Sequence, residues 1–543
     1  MIETDIEPTS NAPDSLLARR RNASPRREFT RSIPGRSLFR NMFGLDYRSI
    51  ALLRIGLGVL ILANIFVSAR DIRSFYSDQG LMSRTLLLTN YGAAFSLHLS
   101  GGTVGFAAAM FAIQAALALM MIVGYRTRAV TIASYILLVS LQARNPLLIF
   151  GADIALRVCF FFAMFLPLNR RFSLDVAIGR VRPPETETYF RIPAAAYLAQ
   201  FALIYVFSGL LKTGAAWTVD YTAVSLALSL EMWSRPIGAW LNQFDTITRW
   251  LTILTPKAEI YAPLLLILPV WSRWGRMLGW IVFTALQIGF NVCMQMGLFG
   301  PVMIVVSFAL LPAEFWTYVM NPAGCWLSRS LARWRRAAAL LQRVTAELHR
   351  RLEPRRLLEI QLASVVPAWP RFRWLARASC DALALFFIVY VVLWNLDSMP
   401  GASQRIPAEY AWIAPATGLD QFFSLFAPDP QTDDGWFVVV GELRNGRRVN
   451  ALTGEPTITF DRPSNFYSTY VNQRWSAFLI CLWTPNCSQY LDPFSRYLVH
   501  EWNRHHSGTE EMSSIEITFM HEIVGPDHSR SAIVQERYWT QRF

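Results

Sequence analysis

Charged residues are scarce in this chain. Asp, Glu, Lys and Arg make up 16% of its 543 residues against 53% hydrophobic ones, and the mean hydropathy is +0.28. Soluble domains carry roughly a quarter charged residues, so a single water-soluble fold is excluded and a polytopic membrane protein is expected. Cysteine and histidine are also few, six and seven, and no Cys-x-x-Cys pair occurs. The one histidine cluster, His500-Glu-Trp-Asn-Arg-His505-His506, spaces its imidazoles five and six residues apart. A helical zinc site needs a spacing of four, so the cluster reads as a helix surface and no metal site is expected. P-loop, dinucleotide-binding, serine-elbow and haem-attachment motifs are missing, which removes support for nucleotide-driven or serine-hydrolase chemistry. No apolar stretch closely follows the acidic start Met1-Ile-Glu-Thr-Asp-Ile-Glu, so no cleavable signal peptide is visible.

What charge there is falls in blocks. The net +13 comes largely from arginine, concentrated in the N-terminal tail and between Arg329 and Arg377. Basic blocks separated by hydrophobic stretches indicate membrane topology, and nucleic acid is not expected as a partner. Nine spans are expected, near 49–69, 103–123, 129–148, 153–168, 193–212, 256–272, 277–296, 298–315 and 381–397. The sixth is the weakest, because Lys257, Glu259 and Pro263 crowd its start. With the N-terminus inside, Arg126/Arg128, Arg170/Arg171/Arg180/Arg182, Arg273/Arg276 and the Arg329–Arg377 block all fall on the cytoplasmic side.

The organisation expected is a disordered basic tail over 1–46, a transmembrane domain over 47–320, a basic helical linker over 321–379, a last span over 380–398, and an α+β domain over 399–543 outside the membrane. Segments 70–102 and 213–250, rich in Trp, Tyr and Phe, are expected as amphipathic helices along the outer interface. Beyond Gly401, the run Gly435 to Leu452 reads as two strands around an Asn445-Gly446 type I′ turn, and residues 513–524 alternate as a third strand. Residues 468–480 and 493–502 have helical spacing. Cys481 and Cys487 share this outer domain, where their short separation can close a disulfide.

One stretch has chemical content of its own. Tyr205, Ser208, Gly209 and Lys212 fall at i, i+3, i+4 and i+7, giving the fifth span a polar or small face. Lys212 is either an interfacial anchor that snorkels outward or a partly desolvated amine able to act as a base. Other polar residues lie within spans: Arg54 in the first, and Arg157 in the fourth, one turn after Asp153, which allows an intrahelical pair. In the seventh, Thr284, Gln287 and Asn291 form a stripe. Interhelical hydrogen bonding or a polar cavity accounts for them equally well.

Taken in order, several stretches resemble the HTTM family, which includes the vitamin K-dependent gamma-carboxylases. They are Ala51-Leu-Leu-Arg54-Ile-Gly, Arg144-Asn145-Pro146, Phe172-Ser173-Leu174-Asp175, Gly209-Leu-Leu-Lys212 followed by Trp217, and Gln295-Met-Gly297-Leu-Phe299. They cover roughly residues 45–320. The resemblance implies an integral protein of a bacterial inner membrane, with Lys212 as the base that deprotonates a reduced quinone. Arg54, Asn145, Arg157, Tyr205, Ser208, Gln287 and Asn291 are the expected cofactor-binding positions. Pro146 and Gln287 stand where the carboxylases have histidine, and their long lumenal substrate region is not recognisable. Phe423 to Trp436 instead resembles the outer domain of bacterial members. The expected partners are membrane lipids and a peptide or protein substrate at the outer face. The alternative is a non-catalytic membrane partner or peptide-maturation factor.

Overall fold

The structure is a computed structural model that describes residues 34–92, 96–321, 370–463, 472–525 and 527–543. Among the described residues, nine helices form its body: α1 Tyr47–Ala69, α2 Val104–Val123, α3 Thr127–Arg144, α4 Gly151–Ala163, α5 Ile192–Leu210, α6 Asp245–Leu265, α7 Ser272–Cys293, α8 Phe299–Ser307 and α9 Pro370–Asp397. Five are long and apolar enough to cross a bilayer: α1, α2, α5, α7 and the Trp374–Asp397 part of α9. The other four differ for readable reasons. Eleven of the thirteen residues of α4 are buried, so it fills the interior. At about 1.5 Å per residue it rises about 20 Å, less than a hydrocarbon core of about 30 Å. α8 is shorter still and runs on as a 3-10 turn, Phe308–Leu310. α3 buries Thr131, Ser134, Ser140, Gln142 and Arg144. α6 carries Asp245, Arg249, Lys257 and Glu259 with two internal prolines, and begins eleven residues earlier than expected.

The helix ends gather into two rims. At one, Arg54 near the start of α1 donates to the carbonyls of Ile122 in the last turn of α2 and of Leu168 after α4. Asp175 there accepts from Arg126 N, Thr127 N and Thr127 Oγ1 at the start of α3. Arg191, which precedes α5, pairs with Asp381 in α9, and Arg276 of α7 donates to Leu266 O after α6 at 3.1 Å. The remaining ends, with the C-terminal region, make the other rim.

Parts of the expected flanks are ordered. Pro34–Phe43 is a helix and Leu45–Asp46 pairs antiparallel with Thr188–Tyr189, which corrects the reading of a disordered tail up to residue 46. Residues 1–33 and 322–369, with the arginines expected in them, lie outside the described residues, and α9 is already helical at Pro370, ahead of the expected 381. Among the described residues, segments 70–102 and 213–244 hold only short helices, including Arg84–Tyr91 and Ala223–Ser229, and α6 begins inside the second expected segment.

The C-terminal region is a four-stranded antiparallel sheet of β1 Asp433–Leu443, β2 Arg448–Asn450, β3 Met512–Ile523 and β4 Val534–Arg542 in the order β2-β1-β3-β4. With it lie two helices, α10 Gln473–Trp483 and α11 Leu491–Asn503. Cys481 and Cys487 are disulfide-bonded, with Cα atoms 5.6 Å apart. The β1–β2 connection is a hairpin, but not through a type I′ turn. Leu443 N bonds Arg447 O, leaving a three-residue loop in which Gly446, at φ +81°, takes positive φ and Asn445 does not. A longer loop places the left-handed residue last, where glycine carries no Cβ penalty.

This region is not detached from the helices. Side chains of both belong to one buried cluster, from Leu57, Phe160 and Phe201 to Trp436, Phe478 and Phe519. The segment 413–426 also threads back among the helices. Tyr135 of α3 donates to Thr417 O, Arg157 of α4 to Asp420 O, and Gln200 of α5 to Gln421 Oε1. Gln200 stands ten residues before the end of α5, about 15 Å down its axis. The reading of everything beyond residue 399 as a separate domain is corrected to that extent. Irregular backbone at such depth is tolerated because protein surrounds it and satisfies its polar groups.

Candidate functional site

Lys212 follows α5 directly, and its backbone bends away from the helix. Lys212 N bonds Gly209 O rather than Ser208 O, so the Ser208 carbonyl lacks its in-helix donor. The side chain folds back to supply one: Nζ donates to Ser208 O at 3.1 Å and to Ser208 Oγ at 2.9 Å. Its third contact is Glu259 Oε2 of α6 at 2.7 Å, and both side chains are buried, 3% and 5% exposed. Trp217 covers the ammonium with its ring centroid 5.3 Å from Nζ. The snorkelling anchor is therefore ruled out: the amine points inward to a carboxylate.

Gly209 makes the pair possible. A Cβ there would stand 2.7 Å from Ile260 Cγ1, 3.1 Å from Pro256 O and 3.2 Å from Glu259 Cβ, so α5 and α6 touch through bare backbone at the turn that bears Glu259. Pro263, four residues after Glu259, withholds the amide that would meet the Glu259 carbonyl, so the α6 ladder is interrupted at this turn. Of the chain's 51 basic residues only Lys212 and Lys257 are lysines. A compact, titratable amine where arginine is otherwise used throughout is a chemical choice, since guanidinium does not give up its proton.

The pair forms one end of a cavity of about 350 Å³ whose other walls are almost wholly apolar, among them Val224, Leu228, Phe290 and Met294. Leu425 and Phe426 close it from the C-terminal side, where Trp217 Nε1 donates to Phe426 O and Asp429 Oδ1 accepts from Ala216 N. Between α6 and α7 the lining residues Leu251, Ala285 and Gly289 are also exposed, and a Cβ on Gly289 would meet open space. The cavity thus opens sideways on the apolar flank of the helices. A second cavity of about 370 Å³, bordered by Arg70 and Arg235, shares Met296, Phe299 and Leu425 with the first.

The sequence-derived residues divide around this cavity. Ser208 touches Lys212. Tyr205 and Gln287 form a separate buried bond, Gln287 Nε2 to Tyr205 OH at 3.0 Å, and Asn291 Nδ2 donates to Gln287 O, so the stripe on α7 ties α7 to α5 and does not line the cavity. Arg54 clamps carbonyls at the opposite rim. Asn145 Nδ2 bonds Phe75 O. The expected Asp153–Arg157 pair does not form: Arg157 pairs with Asp420 at 3.0 Å, and Asp153 accepts from Arg474 at 3.0 and 3.1 Å and from Asn64. Both carboxylates turn to arginines from other elements, where the tertiary fold delivers them. Arg54, Asn145 and Arg157 thus form no part of the Lys212 cavity. The residue that sequence reasoning missed is Glu259. Its signal was present, a carboxylate within an expected span, and that is a functional pointer as much as a flaw in a span.

No protein-family model matches the chain, nor does any curated protein or solved structure.

Proposed function

We propose that the protein is an integral membrane protein of HTTM type. It binds a lipid-soluble quinol, or a lipid of similar hydroxyl chemistry, in the Lys212 cavity, and there moves a proton. All nine helices belong to the membrane domain, with the arginine-bearing rim inside and the C-terminal sheet outside. Support for this orientation comes from the two rims: Arg54, Arg170, Arg171, Arg191 and Arg276 cluster at one of them.

The observation that carries the functional reading is a buried ion pair facing an otherwise apolar cavity with a lateral opening. An apolar cavity favours a hydrocarbon ligand, and a few convergent polar groups fix its orientation. A hydroxyl brought to the pair can pass its proton to the Glu259 carboxylate while the Lys212 ammonium holds the resulting oxyanion. Starting from neutral amine and neutral acid, the same proton goes to Lys212, and the end state is identical: ammonium, neutral carboxyl and oxyanion. In a site of low dielectric that anion is strongly stabilised by the adjacent cation. A second reading, a non-catalytic lipid-binding partner, draws support from the three protein partners of Lys212 Nζ, namely Ser208 O, Ser208 Oγ and Glu259 Oε2.

The test is anaerobic titration of the purified protein with a membrane quinol, followed by absorbance. Quinolate should form at a pH where free quinol is neutral, and Glu259→Gln and Lys212→Met should each abolish it. Binding without ionisation would leave the partner reading, and no binding would remove both.

A further inference from the structure

At the arginine-bearing rim, away from Lys212, a cavity of about 720 Å³ opens between the start of α9, the loop after α4 and the segment leading into α5. Arg128, Arg170, Arg191 and Arg377 line it, and among the described residues no carboxylate does. Arg191 is held by Asp381 and also donates to Arg377 O at 3.2 Å, while Arg170 Nη1 donates to Arg182 O at 2.8 Å. Two guanidiniums are thus fixed in place. Arg128 and Arg377 make no ion pair among the described residues, so within these the cavity keeps two positive charges that no carboxylate meets. Tyr47 and Tyr189, with ring centroids 5.9 Å apart, form an aromatic wall. Just outside, Trp374 and Leu375 are 67% and 50% exposed.

We propose that this cavity binds the phosphate headgroup of an anionic membrane lipid. Several arginines converging on one space match phosphate oxygens in charge and in geometry. The place argues for a lipid rather than a free anion. α1, α5 and α9, all of spanning length, have their basic ends here, which is headgroup depth, and basic pockets between helices on the cytoplasmic side bind such headgroups. Exposed Trp374 and Leu375 give an acyl chain an apolar path beside the headgroup.

The test uses the full chain in nanodiscs of phosphatidylcholine with one tenth phosphatidylglycerol, then native mass spectrometry of retained lipid. Wild type should retain phosphatidylglycerol about tenfold above its share, as expected when a few basic residues act on one headgroup. The triple variant Arg128→Gln/Arg170→Gln/Arg377→Gln should lose that enrichment, whereas Arg235→Gln/Arg405→Gln/Arg447→Gln, equal in charge change but elsewhere, should keep it. Equal retention in both variants, or no enrichment in wild type, overturns the proposal. So does displacement of the lipid by millimolar inorganic phosphate, which would make this a free-anion site. Should the first variant fail to fold, the wild-type comparison and the phosphate competition still decide.

Discussion

The Lys212 ammonium and the Glu259 carboxylate meet at 2.7 Å across the contact of α5 and α6, each almost wholly buried. Neither charge has water to return to, so each depends on the other. Lys212→Met alone should strand Glu259 and destabilise the protein by about 3–5 kcal/mol, whereas Lys212→Met/Glu259→Met should recover most of that loss. Thermal unfolding in one detergent measures both. Equal stability of the single and double variants would mean that the pair is not coupled. Lys212→Arg keeps the charge but not the exchangeable amine, so it should fold yet fail to ionise a bound quinol.

Gly209 sets the distance between the two helices. Gly209→Val puts a branched side chain against Ile260 and Pro256 O, and backbone there cannot rotate aside. The expected result is loss of 1–3 kcal/mol, roughly the cost of overpacking, together with loss of quinol binding. Unchanged binding would show that α6 has slack at this turn.

His98 offers a pH test outside the spans. Its ring is buried, with Nδ1 2.7 Å from Ser140 Oγ and Nε2 without a partner among the described residues. Burial, aided by Arg144, pushes its pKa down from 6.5 to about 4. The folded state therefore holds the neutral ring, and the unfolded chain takes up a proton first as pH falls. The stability associated with His98 is complete above about pH 6.5 and drains away between 6.5 and about 4. Comparing unfolding at pH 7 and 5 with His98→Gln measures it: the variant should lack this part of the slope.

Topology is tested with labels at Arg182 and Asn445. An impermeant thiol reagent in right-side-out vesicles should reach a cysteine at Asn445 and not one at Arg182. Reaction of both would overturn the assignment of the two rims to opposite faces.

The Cys481–Cys487 bond should appear as one linked peptide in non-reducing mass mapping, with Cys159, Cys293 and Cys380 alkylatable after unfolding. Two further free thiols at 481 and 487 would place the sheet in a reducing compartment.

Apolar run length and turn residues act locally, so the sequence alone determined that the chain is largely helical with several helices apolar enough to cross a membrane, that its C-terminal region contains β-strands, that three of the helices end near Arg144, Leu210 and Cys293, and that Cys481 and Cys487 lie close enough to join. The polar face at Tyr205, Ser208 and Lys212 was equally legible, because helical periodicity is a property of one segment. What faces it was not. Glu259 is 47 residues away, and only the packing of α6 on Gly209 turns a misplaced carboxylate into a partner. Arg157 shows the same limit: a carboxylate one turn away suggested a local pair, yet the fold brings Asp420 from 263 residues distant and gives Asp153 to Arg474. The return of residues 413–426 among the helices was decided by tertiary structure alone. That segment has no periodicity, and its polar backbone is satisfied by hydrogen bonds from α3, α4 and α9, with a side-chain bond from α5 to Gln421.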